Sequence, residues 1–175
     1  MNLTLEGRTA LVTGANGGLG SHFAQTLAGA GARVAVAARR LDSLAAVQKA
    51  IEGTGGRAVP VALDVTSPQS VADAFDAAAA ALGPVTVVVN NAGIAITKPL
   101  LDQSEDDWQR VVDVNLSGAW RVAQAAARHM VDHGKGGSIV NIASVLGLRV
   151  SVQLPSYAAS KAGLIQLTKA MALEL

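Results

Sequence analysis

The sequence predicts an α/β domain in which helices cover both faces of a doubly wound parallel sheet. Short apolar runs typical of strands alternate with segments of helical spacing, the order expected of parallel strands joined by helices. The run at residues 85–89, VTVVV, has the unbroken apolar character of a strand buried on both faces. Half of the 175 residues are apolar and 15% are charged, so we expect residues 1–175 to form one domain around a sizeable core.

Five segments have the composition of strands, and five have the pattern of helices. The strands are predicted over residues 8–13, 33–38, 58–63, 85–89 and 138–143. Pro60 favours an edge position for the third strand, because proline cannot donate a ladder hydrogen bond. The helices are predicted over residues 21–29, 41–51, 68–82, 105–133 and 156–175, the fourth being either split or kinked. Ser67 and Ser104 precede two of these helices and are predicted to be their N-caps.

Composition and charge exclude several classes of function. The sequence has no cysteine, which excludes disulfides and thiolate metal sites. The net charge is +1 and the charges are scattered, so there is neither a basic face for nucleic acid nor a polybasic membrane patch. The N-terminus lacks a signal-peptide pattern, and the longest uncharged apolar run, residues 77–82, is too short to span a bilayer. We therefore expect a cytoplasmic protein that binds neither nucleic acid nor a membrane.

A glycine-rich turn follows the first predicted strand and precedes the first predicted helix. Its pattern is Thr13-Gly14-x-x-x-Gly18-x-Gly20, which in this context is typical of pyrophosphate binding. Gly14 permits the tight turn, Gly18 allows a close backbone approach to the phosphates, and Gly20 allows the helix to pack on the strand. The helix N-terminus adds unpaired N–H groups. An ordinary glycine-rich turn between a strand and a helix remains the alternative.

The end of the second strand bears on which dinucleotide would bind. In dinucleotide-binding folds an acid at this point binds the ribose 2′-hydroxyl, whereas an arginine accommodates a 2′-phosphate. Here the strand ends in Ala37-Ala38-Arg39-Arg40, with no acid. The sequence therefore favours NADP(H), with NAD(H) as the alternative. The two arginines could instead be solvated residues at the start of a helix.

A tyrosine and a lysine near the C-terminal end suggest acid–base chemistry. Tyr157 is the only tyrosine, and Lys161 lies four residues on, so the two side chains share one face of a helix. Ser144 lies thirteen residues before Tyr157, just after an apolar run. A phenol ionises weakly at neutral pH, and a neighbouring ammonium favours its ionised form. Taken singly, the Tyr–Lys pair is typical of surface packing, and the serine is typical of a turn.

Together these motifs resemble the short-chain dehydrogenase/reductase family, in its compact single-domain branch. The resemblance covers the whole chain and depends on six motifs in the order of the family. They are Thr13-Gly14-x3-Gly18-x-Gly20, Asp64-Val65, Asn90-Asn91-Ala92-Gly93, Asn115, Ser144 and Tyr157-x3-Lys161. The resemblance implies a Rossmann fold with a dinucleotide bound beyond the carboxyl ends of the strands.

The resemblance also implies which residues contact the cofactor. These are Gly14, Asn16, Gly18, Leu19, Gly20, Arg39, Asp64, Val65, Asn91, Ala92, Gly93, Tyr157 and Lys161. Arg39 would hold the 2′-phosphate, Asp64 would contact the adenine, and Asn91 would be partly structural. Many NADP-preferring members carry a basic residue at the position of Gly17, so the preference for NADP(H) depends on Arg39 alone.

The implied catalytic set is Asn115, Ser144, Tyr157 and Lys161, acting on the oxygen of a ketone or a secondary alcohol. Tyr157 would exchange a proton with that oxygen, and Ser144 would hydrogen-bond it. Lys161 would favour ionisation of Tyr157 and hold the nicotinamide ribose. Asn115 would bend its helix and bind a water that links Lys161 to solvent.

Two functions are carried forward from this resemblance. The first is an NADP(H)-dependent enzyme acting on a small carbonyl or alcohol substrate, and the second is a catalytically silent nucleotide-binding relative. A serine hydrolase is excluded because Ser144 does not lie in Gly-x-Ser-x-Gly. The loop at residues 145–155 is rich in apolar residues and hints at a partly apolar substrate.

The resemblance further implies oligomers and a longer chain. Family members usually form dimers or tetramers, so the full-length form is expected to be a homodimer or homotetramer. Relatives continue beyond the position of Leu175 with two more strands and a helix. We therefore expect a truncated form that lacks the last strands, which would leave its fifth strand as an exposed apolar edge.

Overall fold

A computed structural model describes residues 4–175, and it confirms the α/β class and the parallel sheet. The sheet has the strand order β3-β2-β1-β4-β5, with every neighbouring pair parallel. Its strands are β1 (Thr9–Thr13), β2 (Arg33–Ala38), β3 (Arg57–Ala62), β4 (Val85–Asn90) and β5 (Ser138–Asn141). Met1–Leu3 belong to the N-terminal segment whose sequence contributed to the expected cytoplasmic location, and they lie outside the described residues.

Within residues 4–175, six α-helices connect and follow the strands. They are α1 (Gly18–Gly29), α2 (Ala45–Gly53), α3 (Pro68–Leu82), α4 (Glu105–Val112), α5 (Ala119–Asp132) and α6 (Pro155–Glu174). Helix α1 begins three residues earlier than predicted, at Gly18, within the glycine-rich turn. The helix predicted from residue 41 begins as a 3-10 turn, Leu41–Leu44, in which the Ser43 hydroxyl donates to the Arg40 carbonyl at 2.6 Å.

Both predicted serine caps are present. The Ser67 hydroxyl accepts from the backbone N–H of Ser70 at the start of α3, and Pro68 occupies the first helical position. Ser104 forms a capping box with Asp107, each side chain accepting from the other residue's backbone N–H at 3.1 Å. These side chains satisfy N–H groups that the helix itself leaves unpaired.

A π-helical turn, Asp113–Gly118, joins α4 to α5 and makes them one continuous rod. It resolves the alternative between a split and a kinked helix, because the chain stays helical through the irregularity. Gly118 is required where this turn passes the segment that follows β3, since a Cβ there would lie 2.7 Å from Cγ2 of Val65. Such turns insert an extra residue into a helix and often occur at functional sites. Asn115 lies within this one and is fully buried.

Alternate residues of the strands supply two apolar cores, one on each face of the sheet. On β1, Leu11 belongs to the core that includes α3 and α5, whereas Ala10 and Val12 belong to the core that includes α1 and α2. Pro60 lies in β3, which pairs only with β2, so the predicted edge position is confirmed. The burial of β1 and β4 on both faces explains their unbroken apolar sequences.

The other edge of the sheet is β5, and it borders an apolar groove. Val140 on this strand is 47% exposed. The groove has a volume of about 520 Å³ and is lined by residues of α5, β5 and α6, among them Met130, Ile139 and Met171. Across residues 4–175, no helix combines the length and the apolar character needed to cross a membrane.

A histidine on α5 supports the start of β4. The Nε2 atom of His129 accepts a hydrogen bond from the Val85 backbone N–H at 3.1 Å, which requires a neutral ring. Burial is the main cause that lowers the pKa of His129 below its ordinary value of 6.5, and the neighbouring His133 adds to the effect. Asp76 and Asp132 oppose this shift.

We expect the His129 contact to make the fold sensitive to acid. Because the folded pKa is lowered, the unfolded chain binds more protons below pH 6.5, so stability is lost as the pH falls through that window. Glutamine at this position can accept the same N–H without titrating. His129→Gln should therefore flatten the change in urea midpoint between about pH 7 and pH 5, whereas the exposed control His22→Gln should keep the wild-type dependence. An unchanged slope in His129→Gln would contradict the assignment.

Candidate active site

A cavity of about 730 Å³ opens at the carboxyl ends of the first four strands. It lies where the connections from β1 and β4 leave in opposite directions, the usual ligand position in open parallel sheets. Seven of the predicted cofactor residues line it, namely Gly14, Asn16, Arg39, Asp64, Val65, Ala92 and Gly93. Residues of three of the six motifs thus share one concave surface, whereas Gly18, Leu19, Gly20, Asn91, Tyr157 and Lys161 do not line it.

Other residues line the same cavity and belong to no motif. They are Ala38, Arg40, Ser43, Leu63, Thr66, Ile94, Arg110, Asp113 and Val114. Arg110, Asp113 and Val114 follow the spacing of one helical face on α4 and the π-helical turn. The spacing can be read from the sequence, but only the fold shows that this helical face lines the cavity.

The three motif glycines meet different geometric needs. Gly14 has φ +64°, and a Cβ there would lie 3.0 Å from Cα of Ala92. A Cβ at Gly20 would lie 2.6 Å from Nδ2 of Asn91, so α1 can approach the strand ends this closely only because residue 20 is glycine. Gly18 has φ +51° and open space where its side chain would be, which leaves its backbone accessible to a ligand. Leu19 beside it is 61% exposed.

The ends of β1 and β4 are joined by a buried clamp. The Thr13 hydroxyl accepts from the backbone N–H groups of Asn91 at 3.0 Å and Ala92 at 2.9 Å. In return the Asn91 side-chain amide donates to the carbonyls of Thr13 at 2.9 Å and Gly14 at 3.2 Å. The expected structural role of Asn91 is therefore visible as direct support of the glycine-rich turn.

Asp64 lies on another wall of the cavity, where its carboxylate can accept hydrogen bonds. Its Oδ1 atom accepts from both the backbone N–H and the hydroxyl of Thr66, at 2.9 and 2.7 Å. These bonds, with a smaller contribution from the nearby Arg39 guanidinium, lower the pKa of Asp64 below its ordinary value. Its Oδ2 atom makes no hydrogen bond within residues 4–175, and Arg39 is exposed on the rim.

The side chain of Asn115 ties the π-helical turn to the segment after β4. Its Oδ1 accepts from the Ile94 N–H at 2.8 Å, and its Nδ2 donates to the Ile94 carbonyl at 2.9 Å and to the Ser160 hydroxyl at 3.1 Å. Both amide hydrogens are thus used inside the protein. The predicted local distortion of the helix is present, and Ser160 is a partner that no motif indicated.

Lys161 is a buried cation next to this network. It is 4% exposed, and its Nζ donates to the Ile142 carbonyl at 2.7 Å. Burial lowers the pKa of Lys161 below its ordinary value, and no carboxylate within residues 4–175 pairs with it. A Cβ added at Gly93 would lie 3.7 Å from Nζ and 3.3 Å from Oδ1 of Asn115, so the backbone of Gly93 lies between these two side chains and the cavity that Gly93 lines.

Tyr157 and Ser144 lie at the same end of the sheet but are not hydrogen-bonded to each other. Nζ of Lys161 is 5.7 Å from the centroid of the half-buried Tyr157 ring. The Ser144 hydroxyl accepts from the Leu146 N–H at 3.1 Å and so caps the 3-10 turn Val145–Gly147. The hydroxyl of Tyr157 has no partner within residues 4–175 and is left for a ligand.

Removing the Thr13 hydroxyl should destabilise the site strongly. Thr13→Val keeps the shape of this fully buried side chain but leaves two N–H groups without an acceptor. We expect the free energy of unfolding to fall by about 2–4 kcal/mol. Thr13→Ser, which retains the hydroxyl and loses a methyl group, should cost about 1 kcal/mol. Equal losses for the two variants in chemical denaturation would show that the hydroxyl is unimportant.

Comparison with known proteins agrees with this geometry. The family model described as short chain dehydrogenase matches residues 8–175. The chain is 41% identical over 172 residues to 3beta-hydroxysteroid dehydrogenase 1 of Eggerthella lenta, covering 97% of this chain and 66% of that protein. It is 38% identical over 169 residues to gluconate 5-dehydrogenase of Gluconobacter oxydans, with coverages of 97% and 66%. This chain thus spans about two thirds of the length of both relatives.

The fold is also that of a solved relative. A crystal structure of a short-chain type dehydrogenase/reductase from Mycobacterium marinum superposes with a TM-score of 0.96 at 44% identity, covering 99% of this chain and 71% of that one. The family model spans nearly the whole chain, and the sheet order, the glycine-rich turn and the buried Lys161 are all in place. The chain therefore belongs to the short-chain dehydrogenase family.

Proposed function

We propose that this chain carries the nucleotide site and the proton-transfer groups of an NADP(H)-dependent oxidoreductase that interconverts a ketone and a secondary alcohol. The observation that carries the proposal is the position of Gly93. It lines the nucleotide-sized cavity on one side, and on the other its bare backbone lies against Asn115 and Lys161. A dinucleotide in the cavity would therefore approach Lys161, the buried cation beside Tyr157.

The residues of the cavity fit such a cofactor. Gly14 and Gly20 let the turn pack closely against the strand ends, and Gly18 leaves accessible backbone for phosphate groups. Asp64 retains a free carboxylate oxygen for an amino group such as that of adenine. Arg39 is an exposed guanidinium on the same rim, without a carboxylate partner in residues 4–175, and suits a 2′-phosphate. When bound, the nicotinamide supplies or receives the hydride.

Residues of the chain itself would transfer the proton and stabilise the charges that the transfer creates. Tyr157 would donate its phenolic proton to the oxygen of a ketone, or take one from an alcohol. A buried ammonium without a carboxylate favours a nearby anion, so Lys161 would stabilise the phenolate that this transfer leaves. Ser144 would rotate its hydroxyl toward the substrate oxygen and hydrogen-bond the charge that develops there. Asn115 would hold its helix against Ile94, which keeps Lys161 in place.

The substrate we propose is a small molecule that is partly apolar. Four apolar side chains in the loop between Ser144 and Tyr157 are largely exposed, namely Val145, Leu148, Val150 and Val152. The named relatives act on a hydroxysteroid and on gluconate, so kinship alone supports both apolar and polar substrates. The protein would assemble as a homodimer or homotetramer, in keeping with the half-exposed Trp108 and Trp120 on α4 and α5.

Tyr157→Phe should abolish turnover while preserving binding of the nucleotide. We expect NADPH oxidation with a panel of ketones to fall by about 10²–10⁴-fold, because the proton donor is lost. Binding of NADPH, followed by its fluorescence, should stay within about twofold of wild type, as it should in the distant control Arg128→Ala. Turnover that survives in Tyr157→Phe would refute the mechanism. Binding by the wild type without turnover of any ketone or alcohol would favour a silent nucleotide-binding relative.

Arg39→Ala should remove the preference for the phosphorylated cofactor. Loss of a charge-assisted contact should raise the Kd for NADPH by about tenfold or more and leave that for NADH unchanged. Calorimetric titration with 2′,5′-ADP and with 5′-AMP isolates the same contact from the nicotinamide end. The proposal of NADP(H) fails if the wild type binds the two nucleotides equally and the substitution changes neither affinity.

A further inference from the structure

A hydrogen-bonded tether connects α4 to the loop that precedes α6, the helix that carries Tyr157. Its centre is Lys98, in the segment that follows β4. The backbone N–H of Lys98 donates to the Gln153 carbonyl at 2.9 Å, and its Nζ donates to Oδ2 of Asp107 at 2.6 Å. The loop before α6 is thus connected to α4 through one residue.

Gln153, at one end of this tether, has an unfavourable backbone conformation. Its φ is +64°, and it is the only non-glycine residue with positive φ in the described part of the chain. The Gln153 side chain is exposed, so packing of the side chain does not explain the conformation. Residues held in this region persist where the surroundings enforce it, and they concentrate at functional sites. Here the Lys98 N–H is the group that holds the Gln153 carbonyl.

Helix α6 begins two residues after Gln153 and depends on this loop for its starting position. Leu154, the residue before the helix, provides no side-chain cap. Ser156 follows Pro155 in the first turn, and it is fully buried with an Oγ that has no partner within residues 4–175. Tyr157 is the next residue. A change in the backbone at Gln153 would therefore pass directly into the direction of the Tyr157 ring.

The other end of the tether is anchored firmly. Asp107 is buried in the capping box of α4, where its carboxylate accepts from both Lys98 and the Ser104 N–H. Pairing with Lys98 is the main cause that lowers the pKa of Asp107 to about 2, so this anchor stays ionised across the neutral range. Because α4 continues into the turn that holds Asn115, the anchor belongs to the same rod as the site.

We propose that Gln153, held by Lys98, is a positioning residue that sets the orientation of the Tyr157 ring toward the substrate. Its contribution is made by the left-handed backbone and not by the side chain. The inference rests on the proposed function for its catalytic meaning, but the orientation of the ring can be measured without turnover.

The test uses the single tyrosine of the chain. Labelling with 3-fluorotyrosine gives one ¹⁹F resonance, which reports Tyr157 alone. Gln153→Gly accepts positive φ and should retain the wild-type resonance, with a kcat within about twofold of wild type. Gln153→Val resists positive φ and should give a displaced or second resonance, with kcat lower by about tenfold and the NADPH affinity unchanged. Ser151→Val adds the same side chain at an exposed neighbour with ordinary φ and should behave as wild type.

The outcomes separate this inference from the proposed function. A wild-type resonance and a wild-type kcat in Gln153→Val would overturn the positioning role. If the wild type turns over no ketone, the proposed function fails, and the fluorine spectra still decide whether Gln153 orients the ring. If Gln153→Val does not fold, Lys98→Met decides instead, because it breaks the anchor at a half-exposed side chain. A displaced resonance in Lys98→Met supports the tether, and an unchanged one overturns it.

Discussion

The hydroxyl of Thr13 is the contact on which the site most depends. It accepts two backbone N–H groups from the end of β4, while the Asn91 amide returns two bonds to the end of β1. This clamp extends the pairing of the two neighbouring strands beyond their ladder, and the cavity lies between the connections that leave them. The position of Gly14 against Ala92, and that of Gly20 against Asn91, both follow from it. A short polar side chain at the end of an apolar strand thus helps to determine the shape of the cavity.

The fold could be predicted from the sequence because its local signals agree with one another. The unbroken apolar run of β4, Pro60 in an edge strand and the serines before α3 and α4 each have a local physical cause. The start of α1 and the π-helical form of the bend at Asn115 could not be predicted from local signals, because they depend on the approach of other elements; the bend itself is implied only by the family resemblance. Gly118, for example, looks like any helical glycine until Val65 is placed against it.

The site was predictable where a motif is contiguous and unpredictable where tertiary contacts complete it. Seven expected cofactor residues share one cavity, and Lys161 lies beside Tyr157 as the four-residue spacing requires. The hydrogen bonds from Asn115 to Ser160 and from Lys161 to the Ile142 carbonyl join residues far apart in sequence. No sequence spacing predicts such contacts. The same is true of Lys98, whose two bonds reach residues 107 and 153.

The π-helical turn has a consequence for how this region can change in length. A π-helical turn takes one more residue than an α-helix to complete nearly the same rotation, so the extra residue within Asp113–Gly118 is absorbed without turning α5. The apolar face of α5, with Val122 and Ala126, therefore stays against the sheet. Deleting one residue here would restore a regular helix and keep that face in place, but it would withdraw the Asn115 side chain from its bonds to Ile94. The turn thus accommodates a buried polar side chain without a repatterning of α5.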